Sequence, residues 1–368
     1  MNRTQRLAKK TVFVQALFRL YCIYRASKSD AFSGDCQPSQ AQTQIKGGFL
    51  KKEKSILFAV DGSSFSEEAL IKTWGLLKTG KDVNLTLFHG AVAPGLTLPA
   101  ESLGQDSCSA ESLEEHYNIE ARQSLERTRK ALVESGFDSN RLNIVFEKNC
   151  KNPAVSMLKT ADSQEIETIA LGRWGKSTIS RQAIGSVTYR IAQIAENHPL
   201  WIVDPRVASL NVMVGIVGAP VSQRVVDYAT RYFGHLKQSR FTLFHVIPPV
   251  PPQSIDLAEI MKIENGESII GEIMVANIKE YAHNVKKNME YASKELIKAG
   301  IPEQNIAVKI QSQRKGIARD IVEEMEIQNH GILVIGRRGF KDIKDFGIGS
   351  KAYKLLIRAR AFNLCMVN

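Results

Sequence analysis

Strand-like and helix-like segments alternate strictly from Lys54 to the end of the chain, and the alternation runs through twice. SILFAV at 55–60 is a short apolar run, and the helical SEEALIKTWGLLKTG follows, with Ser66 as its expected cap, Glu67 and Glu68 in the first turn and Gly80 as its stop. VNLTLFHG (83–90), LNIVFEK (142–148), TIALG (168–172) and PLWIVD (199–204) are the next strands of this pattern. Between them lie helical segments ending at Gly136, starting at Pro153 and starting after Gly185. The order restarts near Leu210 with LNVMVGIVG and closes on NLCMVN at 363–368. Strands alternating with helices require a parallel sheet covered by helices on both faces, because parallel strands need crossover connections.

The repetition extends to individual residues. TLFH stands at 86–89 and again at 242–245, 156 residues apart. Gly172, two residues, Gly175, nine residues and Gly185-Ser186 recur 164 residues later as Gly336, Gly339 and Gly349-Ser350. A tandem duplication of about 155 residues accounts for both spacings. The expected boundaries are an N-terminal basic extension at 1–53, a first domain at 54–204 and a second at 209–368.

Each glycine stretch follows a strand and opens a helix, which is where parallel sheets bind ligands. Gly172 and Gly175 let the backbone approach a ligand closely. Gly185-Ser186 places free N–H groups, a helix dipole and a hydroxyl at one point, and an anion is favoured there. Arg173, Lys176 and Arg181 add positive charge. The alternative is that the glycines only turn the chain and admit close packing. Asp61 and Gly62, in AVDGSSFS (59–66), end the first strand, where a carboxylate can accept hydrogen bonds from a ribose or a base. The second copy reads GIVGAPVS: Val217 stands for Asp61, and Pro220 removes a backbone donor. One strong nucleotide site is therefore expected, in residues 54–204.

Taken together, VDGS after the first strand, LxLFH at the second and G-x2-G-x9-G-S after the fourth resemble the universal stress protein family, in its ATP-binding branch and as a tandem pair. The resemblance implies two doubly wound, five-stranded α/β domains of strand order 3-2-1-4-5, of the adenine nucleotide alpha hydrolase-like kind, with ATP, with or without Mg2+, at the strand ends. It implies that Asp61 and the Gly90 backbone hold adenosine while the glycine loop and Ser186 hold phosphates. Gly90 departs from the family's usual valine, which the second copy keeps as Val246. The candidate contacts are Asp61, Gly62, Gly90, Gly172, Arg173, Gly175, Gly185, Ser186 and Val187, and secondarily Gly336, Gly339, Gly349 and Ser350. Family members pair through the fifth strand, so the strands at Trp201–Asp204 and Leu364–Asn368 are expected to pair within the chain as a pseudo-dimer. A homodimer is the alternative assembly.

Other features bound the function. Of the net charge of +11, residues 1–54 carry +8, from 11 Lys/Arg against 3 acids. The near-neutral remainder gives no reason to expect a nucleic-acid partner. No apolar run approaches the roughly 20 residues of a membrane span. Five scattered cysteines without a CxxC pair suit a reducing cytoplasm rather than a zinc site or a disulfide framework. Residues 1–53 read as a poorly ordered extension or a short helix. His89 and His245 each finish a strand, and Met157, Met213 and Met261 read as filler. The Lys/Glu-rich helix at 279–299 reads as a solvated face. No catalytic set is present: G-x-x-x-x-G-K-[ST] and an HxGH adenylyl-transfer signature are both missing. The expected function is an ATP-binding stress or signalling protein acting on an unknown protein partner. Slow ATPase or self-phosphorylating activity is the alternative, with Ser177, Thr178, Ser180 and Ser186 near the γ-phosphate. A nucleotide-free scaffold is the third reading.

Overall fold

The computed structural model describes residues 53–77, 83–92, 110–176, 184–217, 221–248, 266–337 and 349–368. The expectations for the N-terminal extension, Gly80, Ser177, Thr178, Ser180, Arg181, Pro220, Met261 and Gly339 lie outside these residues. The compact unit that carries the sheet comprises residues 53–248 and 287–368. A second unit, residues 1–52 with 249–286, is described from Gly266 onward, as part of a helix.

The first half of the sheet unit runs β1 (Lys54–Ala59), α1 (Ser64–Leu77), β2 (Val83–Gly90), α2 (Ala110–Glu134), β3 (Leu142–Glu147), α3 (Pro153–Ser163), β4 (Thr168–Gly172), α4 (Ser186–Ile194) and β5 (Leu200–Val203). The second runs β6 (Val212–Gly215), α5 (Val221–Phe233), β7 (Phe241–Ile247), α6 (Gly266–Lys298), β8 (Ile306–Ser312), α7 (Ile317–Ile327), β9 (Ile332–Gly336), α8 (Ser350–Arg358) and β10 (Asn363–Val367). The ten strands of the described residues form one sheet of order β3-β2-β1-β4-β5-β10-β9-β6-β7-β8. Each half therefore has the expected order 3-2-1-4-5. Every pairing is parallel except the central one, where β5 and β10 run antiparallel with Trp201 opposite Cys365.

Burial follows from this order. The central strands β4, β5, β6 and β10 are buried at every residue, which is why they read as unbroken apolar runs. The edge strands β3 and β8 are instead half-buried or exposed at every residue, and Ile144, Val308 and Ile310 reach solvent. One core cluster on the α3, α4, α7 and α8 face joins the halves, with Ile191, Leu200 and Ile202 packed beside Leu355, Leu364 and Met366. Met157 and Met213 are fully buried, as filler residues should be. On α6, Lys298 pairs with Glu295 in the surface pattern expected of that helix.

Local signals explain most element ends. Asn152 caps α3 by accepting from the Val155 N–H, and Pro153 takes the first helical position. Gly136, at φ +97°, turns the chain out of α2 while Phe137 N–H bonds back to Leu132 O. The cap expected at Ser66 lies elsewhere. α1 begins at Ser64, and Ser63 Oγ accepts the Ser66 N–H at 3.1 Å. Of the three serines at 63, 64 and 66, the one just outside the first turn does the capping.

Candidate functional site

β1, β2 and β4 end side by side, and beyond their carboxyl ends lies a cavity of about 620 Å³. Its walls include Asp61, Gly90, Gly172, Gly175, Gly185, Ser186 and Val187. These residues lie up to 126 positions apart in sequence, and the fold brings them to one place. Trp174, Lys176, His89, Met157 and, from α2, Tyr117 and Glu120 complete the lining used below.

Asp61 is the most heavily engaged group. One carboxylate oxygen accepts from Ser63 N–H at 3.1 Å and Ser63 Oγ–H at 2.6 Å. The other accepts from the Lys176 backbone N–H at 2.6 Å, so the start of the glycine loop is tied across the cavity to β1. Burial alone would raise the pKa, but the bonds from Ser63, Lys176 and Ser66 outweigh it and hold Asp61 below the ordinary carboxylate value. Gly175 is required by this contact: a Cβ there would stand 2.2 Å from Asp61 Oδ2. Gly62 does not line the cavity; it turns the chain at φ +77°, and a Cβ would meet Ser124 Oγ at 2.5 Å.

At the other end, Gly185 is the N-cap of α4 in extended geometry, with no side chain capping the helix. Ser186 and Val187, whose N–H groups at a helix start have no intrahelical partner, line the cavity. Thr188 Oγ1 ties this turn to Gly172 O at 2.9 Å. Gly90 leaves room for Cys150, whose Sγ would be 2.7 Å from a Cβ at 90. The free Cys150 thiol is buried, and burial raises its pKa.

Arg173 is a correction to the sequence reading. Its guanidinium does not line the cavity. It is fully buried and donates to Leu356 O at 2.9 Å and Ile357 O at 3.0 Å, at the end of α8. Carbonyls in the last turn of a helix have no intrahelical partner and accept from the guanidinium, while burial lowers the Arg173 pKa to about 10. Trp174 was missed: it packs edge-on against Phe65 at 4.9 Å, with the Arg206 guanidinium 4.5 Å from its ring centre. Only its position inside the glycine stretch could have flagged it. Tyr117 and Glu120 sit on an ordinary amphipathic helix and gave no signal.

The second half differs at the nucleoside end. The Val217 N–H donates to Ser222 Oγ, and its carbonyl accepts from Ser222 Oγ–H and Asn288 Nδ2. Its backbone is consumed within the fold, and its side chain accepts nothing. Gly336 ends β9, while Gly349 caps α8 and Ser350 begins it, matching their counterparts in the first half. His245 Nδ1 is held by Ile216 O at 2.6 Å, whereas His89 Nδ1 has no hydrogen-bond partner among the described residues. Among the described residues no cluster of side chains suits a metal ion, and no helix is long and apolar enough to cross a membrane.

Residues 53–204, which hold this cavity, match the universal stress protein family. The chain carries a universal stress protein domain. The fold of both halves is also that of a universal stress protein from Archaeoglobus fulgidus, at 15% identity, with 86% of this chain and 99% of that one covered and a TM-score of 0.56. A second universal stress protein from Archaeoglobus fulgidus covers 44% of this chain over its whole length, at 17% identity and a TM-score of 0.30. A universal stress protein in complex with cAMP covers 42% of the chain and 98% of its own length, at 18% identity and a TM-score of 0.29. No curated protein sequence matches.

Proposed function

We propose that the first half binds an adenine nucleotide, ATP in the leading reading, and that binding rather than catalysis is the function. The observation that carries this is the convergence of Asp61, Gly90, Gly172–Gly175 and Gly185–Val187 on one cavity of about 620 Å³. That volume lies within the roughly 300–1,000 Å³ of small-molecule sites. The α4 N-terminus offers N–H donors to phosphates, and any Mg2+ would be held chiefly by those phosphates, since the protein lines the site with few carboxylates. Asp61 sits where ribose hydroxyls would arrive. A hydroxyl that takes over its Oδ2 displaces the Lys176 N–H, so nucleotide binding and the position of the glycine loop are linked.

In this reading the chain consists of two duplicated domains, 54–204 and 209–368, and the first carries the strong site. The loop change on binding presents an altered surface to a protein partner in the cytoplasm. The deciding experiment is the nucleotide content of freshly purified protein, by acid denaturation and anion-exchange chromatography, with titration calorimetry of ATP. About one adenine nucleotide per chain, lost in Gly185→Glu, is expected. Two equal sites, or an empty chain that also ignores added ATP, would overturn the reading.

A further inference from the structure

Each glycine loop is rooted in an arginine, and each arginine reaches into the other half. Arg173 follows Gly172; its N–H donates to Val203 O, and its carbonyl accepts from Gly185 N–H, the cap of α4. Arg337 follows Gly336; its N–H donates to Val367 O, and its carbonyl accepts from Gly349 N–H, the cap of α8. Both side chains are about 1% exposed. Arg173 donates to Leu356 O and Ile357 O in the last turn of α8, as described above. Arg337 Nη1 donates to Ala192 O at 2.6 Å, in the last turn of α4. The main chain of each arginine thus fixes the start of its own loop helix, and its side chain fixes the end of the other one.

We infer that Arg337, in the second half, is a positioning residue for the nucleotide site of the first. α4 has nine residues, so it is about 13 Å of stiff rod at about 1.5 Å per residue. Its first turn lines the cavity, and its last turn is clamped by Arg337. Carbonyls in a last helical turn lack partners of their own, and a buried cation satisfies them with charge-assisted bonds. A rod held at its far end points its N–H groups in one direction, and removal of the clamp lets that direction drift. Tyr189 and Tyr353, one turn into α4 and α8, also meet ring to ring at 6.1 Å, so the two helices are in register where they leave their caps. Arg173 makes the mirror-image brace on α8.

The binding part of this inference rests on the proposed nucleotide site; the brace itself does not. The test uses the full chain and Arg337→Met, Arg337→Lys and Arg173→Met. Amide hydrogen exchange of nucleotide-free protein is expected to show α4 exchanging at least about tenfold faster in Arg337→Met, with α1 and α3 unchanged, as loss of a charge-assisted buried bond implies. Arg173→Met should do the same to α8. ATP affinity at the first site should fall about tenfold or more in Arg337→Met, and Arg337→Lys should recover part of it. Unchanged α4 exchange in Arg337→Met overturns the brace, and a loosened α4 with unchanged ATP affinity overturns its positioning role. A wild-type chain that never binds ATP removes the nucleotide reading, and the exchange data still decide the brace. If Arg337→Met does not fold, Arg337→Lys decides on the same readouts: a partly loosened α4 supports the inference and an unchanged one overturns it.

Discussion

The Asp61 carboxylate and the Lys176 backbone N–H are 115 residues apart and meet at 2.6 Å, closing the start of the glycine loop onto the end of β1. In the proposed reading, one residue thereby serves both the fold and the nucleotide. Asp61→Asn keeps the size of the side chain and removes its charge. The bond is charge-assisted, and because Lys176 is exposed it belongs at the low end of such bonds, about 1.5 kcal/mol. The variant should therefore melt several degrees lower at pH 7 and bind ATP at least tenfold more weakly. The pH dependence has a definite sign. The folded Asp61 pKa lies below its ordinary 3.8, so its stabilisation is present above pH 3.8 and is lost as pH falls through the folded value. The gap in melting temperature between wild type and Asp61→Asn should close below that pH. A gap that stays constant from pH 7 to 3 would refute the assignment.

Gly175 tests the same contact from the other side. The added Cβ of Gly175→Ala would stand 2.2 Å from Asp61 Oδ2, so the loop must retreat and the Lys176 bond lengthens. ATP affinity should drop about tenfold or more, the cost of one such bond. Gly75→Ala serves as the control, because nothing lies within 4 Å of its added methyl in the last turn of α1. That substitution should raise stability by about 0.5–1 kcal/mol and leave ATP binding alone. Calorimetry and thermal melts on both variants check the pair.

Gly90 and Cys150 are coupled by space. A side chain at 90 would meet the Cys150 Sγ at 2.7 Å, and this is why glycine stands where the resemblance led us to expect valine. Gly90→Val alone should destabilise the chain by about 1–3 kcal/mol through overpacking. With Cys150→Ala added, most of that loss should return. A double-mutant cycle in urea measures the coupling; additive effects of the two changes would show that the residues do not compete for one space.

The fold was legible because a doubly wound sheet writes its layers into the chain. β4 and β10 read as unbroken apolar runs since both their faces are covered, and the glycine skeleton marked both loop starts. The site was legible where it depends on backbone. Gly175, Gly185 and Ser186 need a particular residue type at a fixed spacing, and all three line the cavity. It was illegible where it depends on side-chain direction. Arg173 looked like a phosphate ligand from its place in the loop, but the choice between cavity and helix end is made by α8, which lies in the other half of the chain. Val217 shows the opposite case: that its side chain accepts no hydrogen bond follows from residue type alone and needs no knowledge of direction. Ser66 was misread as a cap because three neighbouring serines cannot be ranked without the backbone.

His89 supplies the last prediction. Its ring is buried beside Asp61 and Lys176, and its Nδ1 has no partner among the described residues, unlike that of His245. Burial pushes its pKa down from 6.5 to about 4, against a smaller upward pull from Asp61. The unfolded chain therefore takes up a proton at His89 between pH 6.5 and 4 that the folded chain refuses. Stability attributable to this residue is full above pH 6.5 and falls as the pH drops, by up to about 1.4 kcal/mol per pH unit. His330, also lowered to about 4, adds to the same slope. His89→Phe fills the site with a ring that cannot be protonated, so it should flatten the decline between pH 6.5 and 4 by about one proton's worth. Urea melts at half-unit steps across that range measure the slope. A variant that declines as steeply as wild type would mean that His89 is protonated in the folded chain, and the neutral ring assigned to the cavity wall would be wrong.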